Sequence, residues 1–193
     1  MTEPQRLNAT RDSVMGWRDE YLKGLKEEQR VEEFQLLDIL GPAVRRRGYY
    51  TKTELERVGR WKSARNGGRL ANNSSALVEE VTKKAFAAPE PLKLYALQVL
   101  EGVLDPVASA LLAFPFPETH TIIDYRASRA LEVLQKQGDL PFELLWRPKP
   151  DPRAEGSPPY PVYRDACLKL ATHLNFSLRD LDRALWQWHK ETF

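Results

Sequence analysis

Two stretches of this sequence gather side chains able to do chemistry. The first, Arg60-Trp61-Lys62-Ser63-Ala64-Arg65-Asn66-Gly67-Gly68-Arg69, mixes cations, an indole, a hydroxyl and an amide directly after an expected helix. An indole can stack on a planar ring and an amide can hydrogen-bond its edge, while Lys62, Arg65 and Arg69 can hold phosphates or polar substituents. A plainer reading makes Trp61 a core anchor and the cations a solvated face, and it competes on equal terms except at Lys62 and Asn66. The second stretch centres on Asp124, which follows the apolar run Thr121-Ile122-Ile123 and opens Tyr125-Arg126-Ala127-Ser128-Arg129-Ala130. Taken alone, an aspartate there is an ordinary helix N-cap, accepting backbone N–H groups. Arg126 and Arg129 are close enough in sequence to contact a phosphate, although arginines three apart on a helix are also routine surface residues. Arg126 is the better placed of the two.

Other chemistries find little support. His120, His173 and His189 are scattered without metal-ligand spacing, and only His120 is near Asp124. The lone Cys167 excludes an internal disulfide and a multi-cysteine metal or iron–sulfur cage, so neither a metal nor another cofactor is expected. The formal charge of +2 is too small to announce a nucleic-acid binder, so any electrostatic footprint must be local. No apolar run is long enough to span a bilayer, which argues against a membrane partner. The start, MTEPQRLNATRDS, lacks the layout of a secretory signal, and the expected location is the cytoplasm.

The elements that must position these residues read as helices, because apolar residues recur at helical and not at strand spacing. Val14, Trp17, Tyr21 and Leu25 mark a first helix, and Phe34, Leu37 and Leu40 a second that Gly41-Pro42 should interrupt with a turn. Thr51 and Glu54 have capping-box spacing, and Gly67-Gly68 should end any helix before them. Ser74 or Ser75 caps a helix carrying Leu77, Val78, Val81, Ala85 and Phe86 on one stripe. A helix over 92–100 then turns into PVASALLAF, which is apolar nearly all round and should be buried. The prolines crowded over about 146–161 read as an extended surface connector that could separate two lobes. Beyond it, Tyr163, Ala166, Cys167, Leu170, Ala171 and Leu174 share one helical face, and Leu178, Leu181, Leu185 and Trp188 another, opened by Ser177 and Asp180. Trp186 and Trp188 point to different faces, one inward and one toward the connector or a partner. The expectation is an all-α chain forming one compact helical domain over 1–193.

The order of parts over residues 100–131 is hairpin, small-residue helix, extended apolar segment, then Asp124 opening a helix. This layout resembles the helix-hairpin-helix (HhH-GPD) superfamily of DNA glycosylases, in which an L-P-G-V-G-type hairpin precedes a small-residue helix and a V-D-type step. Leu100, Gly102 and Val103 match the hairpin, Ala108 and Ser109 the small residues, and Ile123-Asp124 the V-D step. The resemblance is best over 49–131, with the helix-hairpin-helix motif at 92–114, and it implies a two-lobed helical glycosylase fold. It further implies that Asp124 is the catalytic carboxylate, stabilising an oxocarbenium-like sugar and activating water. Trp61, Lys62, Ser63, Arg65 and Asn66 would line the base pocket, while Gly102, Val103, Leu104, Arg69 and Arg126 would contact DNA. The partner implied is double-stranded DNA with a modified base, and no obligate protein partner is evident.

Two departures from the family pattern carry meaning. Bifunctional members place a Schiff-base lysine four residues after the hairpin glycine, where this chain has Pro106, so the resemblance implies a monofunctional, hydrolytic enzyme without lyase activity. The third hairpin position, usually glycine, is Leu104, and the following Asp105 and Pro106 change the charge and donors offered to a phosphate. The last two helices resemble a bacterial glycosylase-like group that includes anti-phage enzymes excising α-glucosyl-hydroxymethylcytosine. Two alternatives stay open: a repair glycosylase for a damaged base, and a non-catalytic helical DNA-binding module in which Asp124 merely caps a helix.

Overall fold

A computed structural model describes residues 7–151 and 153–193, with the backbone alone at Asn66; residues 1–6, where the leader reading begins, and Pro152 of the connector lie outside the described residues. Among these, every regular element is helical, as the spacing of apolar residues requires. The chain divides into a central unit, Glu27–Ile122, and a flanking unit made of the chain up to Lys26 together with Ile123–Phe193. The proline-rich stretch does not run between these units, because both of its ends belong to the flanking one. No helix among the described residues is long and apolar enough to cross a membrane.

The central unit begins with α2 (Glu27–Phe34), which continues through a π-helical turn at Gln35–Leu40 into α3 (Gly41–Arg47). The expected break at Gly41-Pro42 does not occur. Pro42 stands directly after the π turn, across which the Gly41 N–H donates to Leu36 O, so the run passes the proline without breaking. Within the turn Leu36 and Leu40 are inside, while Phe34 just before it is 57% exposed. Gly41 is needed because a Cβ there would lie 2.2 Å from the Phe114 carbonyl oxygen.

Next come α4 (Lys52–Lys62), a 3-10 turn at Ala64–Asn66 and the single-turn α5 (Gly67–Leu70). Gly67-Gly68 therefore starts a helical turn, while α4 ends at Lys62, its Gly59 carbonyl accepting the Ser63 N–H at 2.8 Å. The capping box at Thr51 and Glu54 forms in both directions, and Ser74 caps α6 (Ser75–Ala87) through the Leu77 N–H. Then α7 (Leu92–Leu97) leads by a turn into α8 (Asp105–Ala113), of which every residue from Val107 to Ala113 is buried. Helix α8 is the core of this unit, with α4 and α7 packed on it.

In the flanking unit, α11 (Leu178–Thr192) packs on α1 (Arg11–Gly24), α9 (Tyr125–Gln137) and α10 (Tyr160–Leu174). The six expected core positions of α10 and the four of α11 are all buried. Burying a Leu or Val side chain contributes about 1.5–3 kcal/mol, so this shared interior dominates the unit's stability. Thr10, Asp124 and Ser177 supply N-cap oxygens, and Gly138 at φ +75° supplies the left-handed C-cap of α9.

Candidate functional site

A tight turn joins α7 and α8, and its glycine is required twice over. Gly102 sits at φ +80°, and a Cβ there would lie 3.0 Å from Arg69 Cβ and 3.1 Å from the Leu70 backbone nitrogen. The close approach is thus to α5, which brings Arg69 of the 60–69 stretch against the hairpin. Asn73, buried and absent from the sequence-level candidates, clamps the turn. Its amide accepts the Glu101 N–H at 2.9 Å and donates to the Glu101 carbonyl at 2.9 Å and the Leu70 carbonyl at 3.0 Å. Val103 is buried and its N–H donates to Leu100 O at 3.1 Å, whereas Leu104 is 63% exposed.

Much of the hairpin's donor capacity is therefore spent internally. Helix α8 starts without a side-chain cap and carries Pro106, which has no N–H, in its first turn. Asp105 stands there too, its carboxylate accepting from the Gln98 amide. A carboxylate favours the helix dipole and disfavours a phosphate at the same end.

The 60–69 stretch lies in the central unit with the hairpin. Trp61 is half-buried with its ring edge-to-face on Phe114, centroids 5.1 Å apart and planes at 71°, so the indole combines a packing role with a partly open surface. Lys62 and Ser63 are half-buried, Arg65 and Arg69 exposed. Arg60 reaches Glu56 one turn back at 3.4 Å. The Asn66 side chain lies outside the described atoms.

Asp124 and Arg126 belong to the flanking unit. Asp124 has extended backbone and caps α9, its Oδ1 accepting the Arg126 N–H at 3.0 Å while its carbonyl accepts the Ser128 N–H at 3.0 Å. Its carboxylate is half-buried and held in one orientation by that cap. The fully buried phenol of Tyr163 on α10 lies within range of its charge. Burial first, then Cys167, Asp182 and Asp124, push that phenol well above its usual pKa, so it stays neutral. Burial likewise pushes the Cys167 thiol up, which leaves it an inert packing group.

Arg126 extends over the Tyr125 ring at 5.2 Å and the Trp186 ring at 5.7 Å. Arg129 does something the sequence did not suggest. It is 1% exposed and pairs with the equally buried Glu132, donating also to the Gly156 carbonyl at 2.8 Å. Glu132 in turn accepts from Trp146 Nε1 at 2.8 Å and the Lys149 N–H at 3.0 Å. This pair latches the proline-rich stretch onto α9, so Arg129 is neither a phosphate contact nor a surface residue. Of the histidines, His120 is buried with Nε2 3.1 Å from Glu90, and His189 is buried with its ring beside Tyr125 and Phe193. Among the described residues, no group of three or more His, Cys, Asp or Glu side chains is arranged to hold a metal ion.

Comparison with family models, with curated proteins and with solved structures gave no match.

Proposed function

We propose that this chain is a monofunctional DNA glycosylase of the two-lobed helix-hairpin-helix type, which hydrolyses the N-glycosidic bond of a flipped, modified base in double-stranded DNA. The observation that carries the reading is Asp124: a half-buried carboxylate, oriented by its bond to the Arg126 N–H, that opens α9 and follows in sequence two helices joined by a tight turn. A carboxylate fixed before the reaction stabilises positive charge developing on the sugar and orients the attacking water without reorganising. Pro106 offers no amine, so no Schiff base forms and the product is an abasic site.

Trp61, Lys62, Ser63, Arg65 and Asn66 are the side chains assigned to the extruded base, by stacking and by polar contacts. Polar groups in that number suit a base bearing a sugar, so glucosylated hydroxymethylcytosine of phage DNA is the substrate placed first, with defence in the cytoplasm as the role. A damaged base is the alternative within the same chemistry. The cap bond of Asp124 also favours a second reading from another class, a DNA-binding module in which this residue is structural alone.

The test is to incubate the protein with ordinary, damaged and glucosyl-hydroxymethylated duplexes and reveal abasic sites with alkali. Wild type should yield alkali-labile sites on one class of base, and Asp124→Asn, which keeps the cap, should lose about a hundredfold or more in rate. No abasic sites from any duplex, or a fully active Asp124→Asn protein, overturns the reading.

A further inference from the structure

The stripe Arg179, Arg183, Trp186, Lys190 runs along one side of α11 at spacings of four, three and four residues. Its two halves are electrostatically unlike. Arg179 pairs with Asp182 and Arg183 with Asp180, so the N-terminal half is close to neutral. At the other half, Trp186 is flanked by two cations, with Arg126 of α9 5.7 Å and Lys190 5.3 Å from its ring centroid. The Tyr21 ring of α1 stands edge-on to the same indole at 5.8 Å. Among the described residues, neither Arg126 nor Lys190 forms an ion pair with a carboxylate; Lys190 is exposed, and Arg126 and Trp186 are half-buried.

Each cation gains modestly from the ring, and the two like charges still stand without a counter-charge. Held there, however, they have already lost much of the side-chain freedom that binding an anion would otherwise cost. Arg126 itself belongs to the N-terminal turn of α9, two residues after Asp124.

We propose that Arg126 and Lys190, carried on Trp186, form a contact surface for the phosphodiester backbone of duplex DNA, and that this surface supplies phosphate contacts the hairpin is poorly built to make. It rests on the glycosylase reading for the choice of DNA as partner. The hairpin supports the division of labour: its turn is clamped by Asn73, and the helix after it opens with Asp105 and Pro106. Backbone contacts of this kind give affinity and position without reading sequence.

The experiment is a titration of unmodified duplex DNA at several salt concentrations with wild type, Arg126→Gln, Lys190→Gln, the double variant and Trp186→Leu. Each single cation removed should weaken binding several-fold at low salt and reduce the slope of log K against log salt by about 0.9. The double variant should lose about 1.8, and Trp186→Leu should weaken binding while leaving a shallower loss of slope, because the cations remain but are no longer held. Lys190 is exposed, so its variant reports on binding even where the tryptophan variant folds poorly. Unchanged slope and affinity in a folded double variant, or no salt-dependent duplex binding by wild type, overturns the proposal. Base removal is scored separately by alkali-labile sites, so loss of the surface and loss of the glycosylase reading give different results.

Discussion

The hairpin of the central unit and the α9–α11 face of the flanking unit both carry residues that are proposed to meet DNA, yet they use polar groups in opposite ways. At the hairpin the polar groups look inward. Asn73 takes both polar groups of the Glu101 backbone, Gly102 is pressed against α5, and the charge that opens α8 is the carboxylate of Asp105. On α9 the structural charges are buried instead, in the Arg129–Glu132 pair, and the cations nearer the surface are held by an indole without a neutralising acid. A motif recognised by its order of residues need not be where the electrostatic contact is made. Once scaffold bonds are subtracted, more cationic charge is left without an acid partner on the α9–α11 face than at the hairpin.

Variants can break this contrast, beginning with the scaffolds. Glu132→Ala leaves Arg129 buried without its acid, and it should cost about 3–5 kcal/mol by denaturant unfolding, with the Trp146 environment changing in fluorescence. Asn73→Ala removes the hairpin clamp and should cost about 1–3 kcal/mol, while duplex affinity per folded molecule stays within twofold. A tenfold affinity loss there would return the phosphate contact to the hairpin. Lys190→Gln should behave inversely, altering stability by less than about 0.5 kcal/mol while taking about 0.9 from the salt slope. The smallest effect belongs to Asp105→Asn, which keeps an acceptor for Gln98 and removes one negative charge from the helix start. Its duplex affinity should change by less than about twofold if phosphates stay away from this end, and rise beyond that if they approach it.

What was legible in the sequence was mostly local. Helical spacing gave the faces of α10 and α11 residue by residue, and short-range polar pairs gave the caps at Thr51, Ser74 and Asp124. The hairpin glycine and the buried α8 were also readable, because tight turns and all-apolar helices leave compositional marks. Three things were not. Gly41-Pro42 looks like a break, since sequence alone does not reveal that the preceding turn is widened to π geometry. Gly67-Gly68 looks like a stop, yet contact with α4 makes a helical turn of it. Arg129 looks like a surface cation, because Glu132 could as well have been an exposed partner and only the folded connector covers both. For the candidate site, Asp124 was found at the cap where it was expected. The pairing of Trp186 with Arg126 could not be seen, as it joins residues far apart in the chain.

The widened turn at Gln35–Leu40 has a consequence for the helices on either side of it. A π turn amounts to one residue accommodated inside an otherwise α-helical run, here with Leu36 and Leu40 buried within it. A regular α-helix over the same path would need one residue fewer, and losing it would rotate the helix before the turn by about 100° relative to α3. The turn therefore sets the rotational phase of α2 against α3.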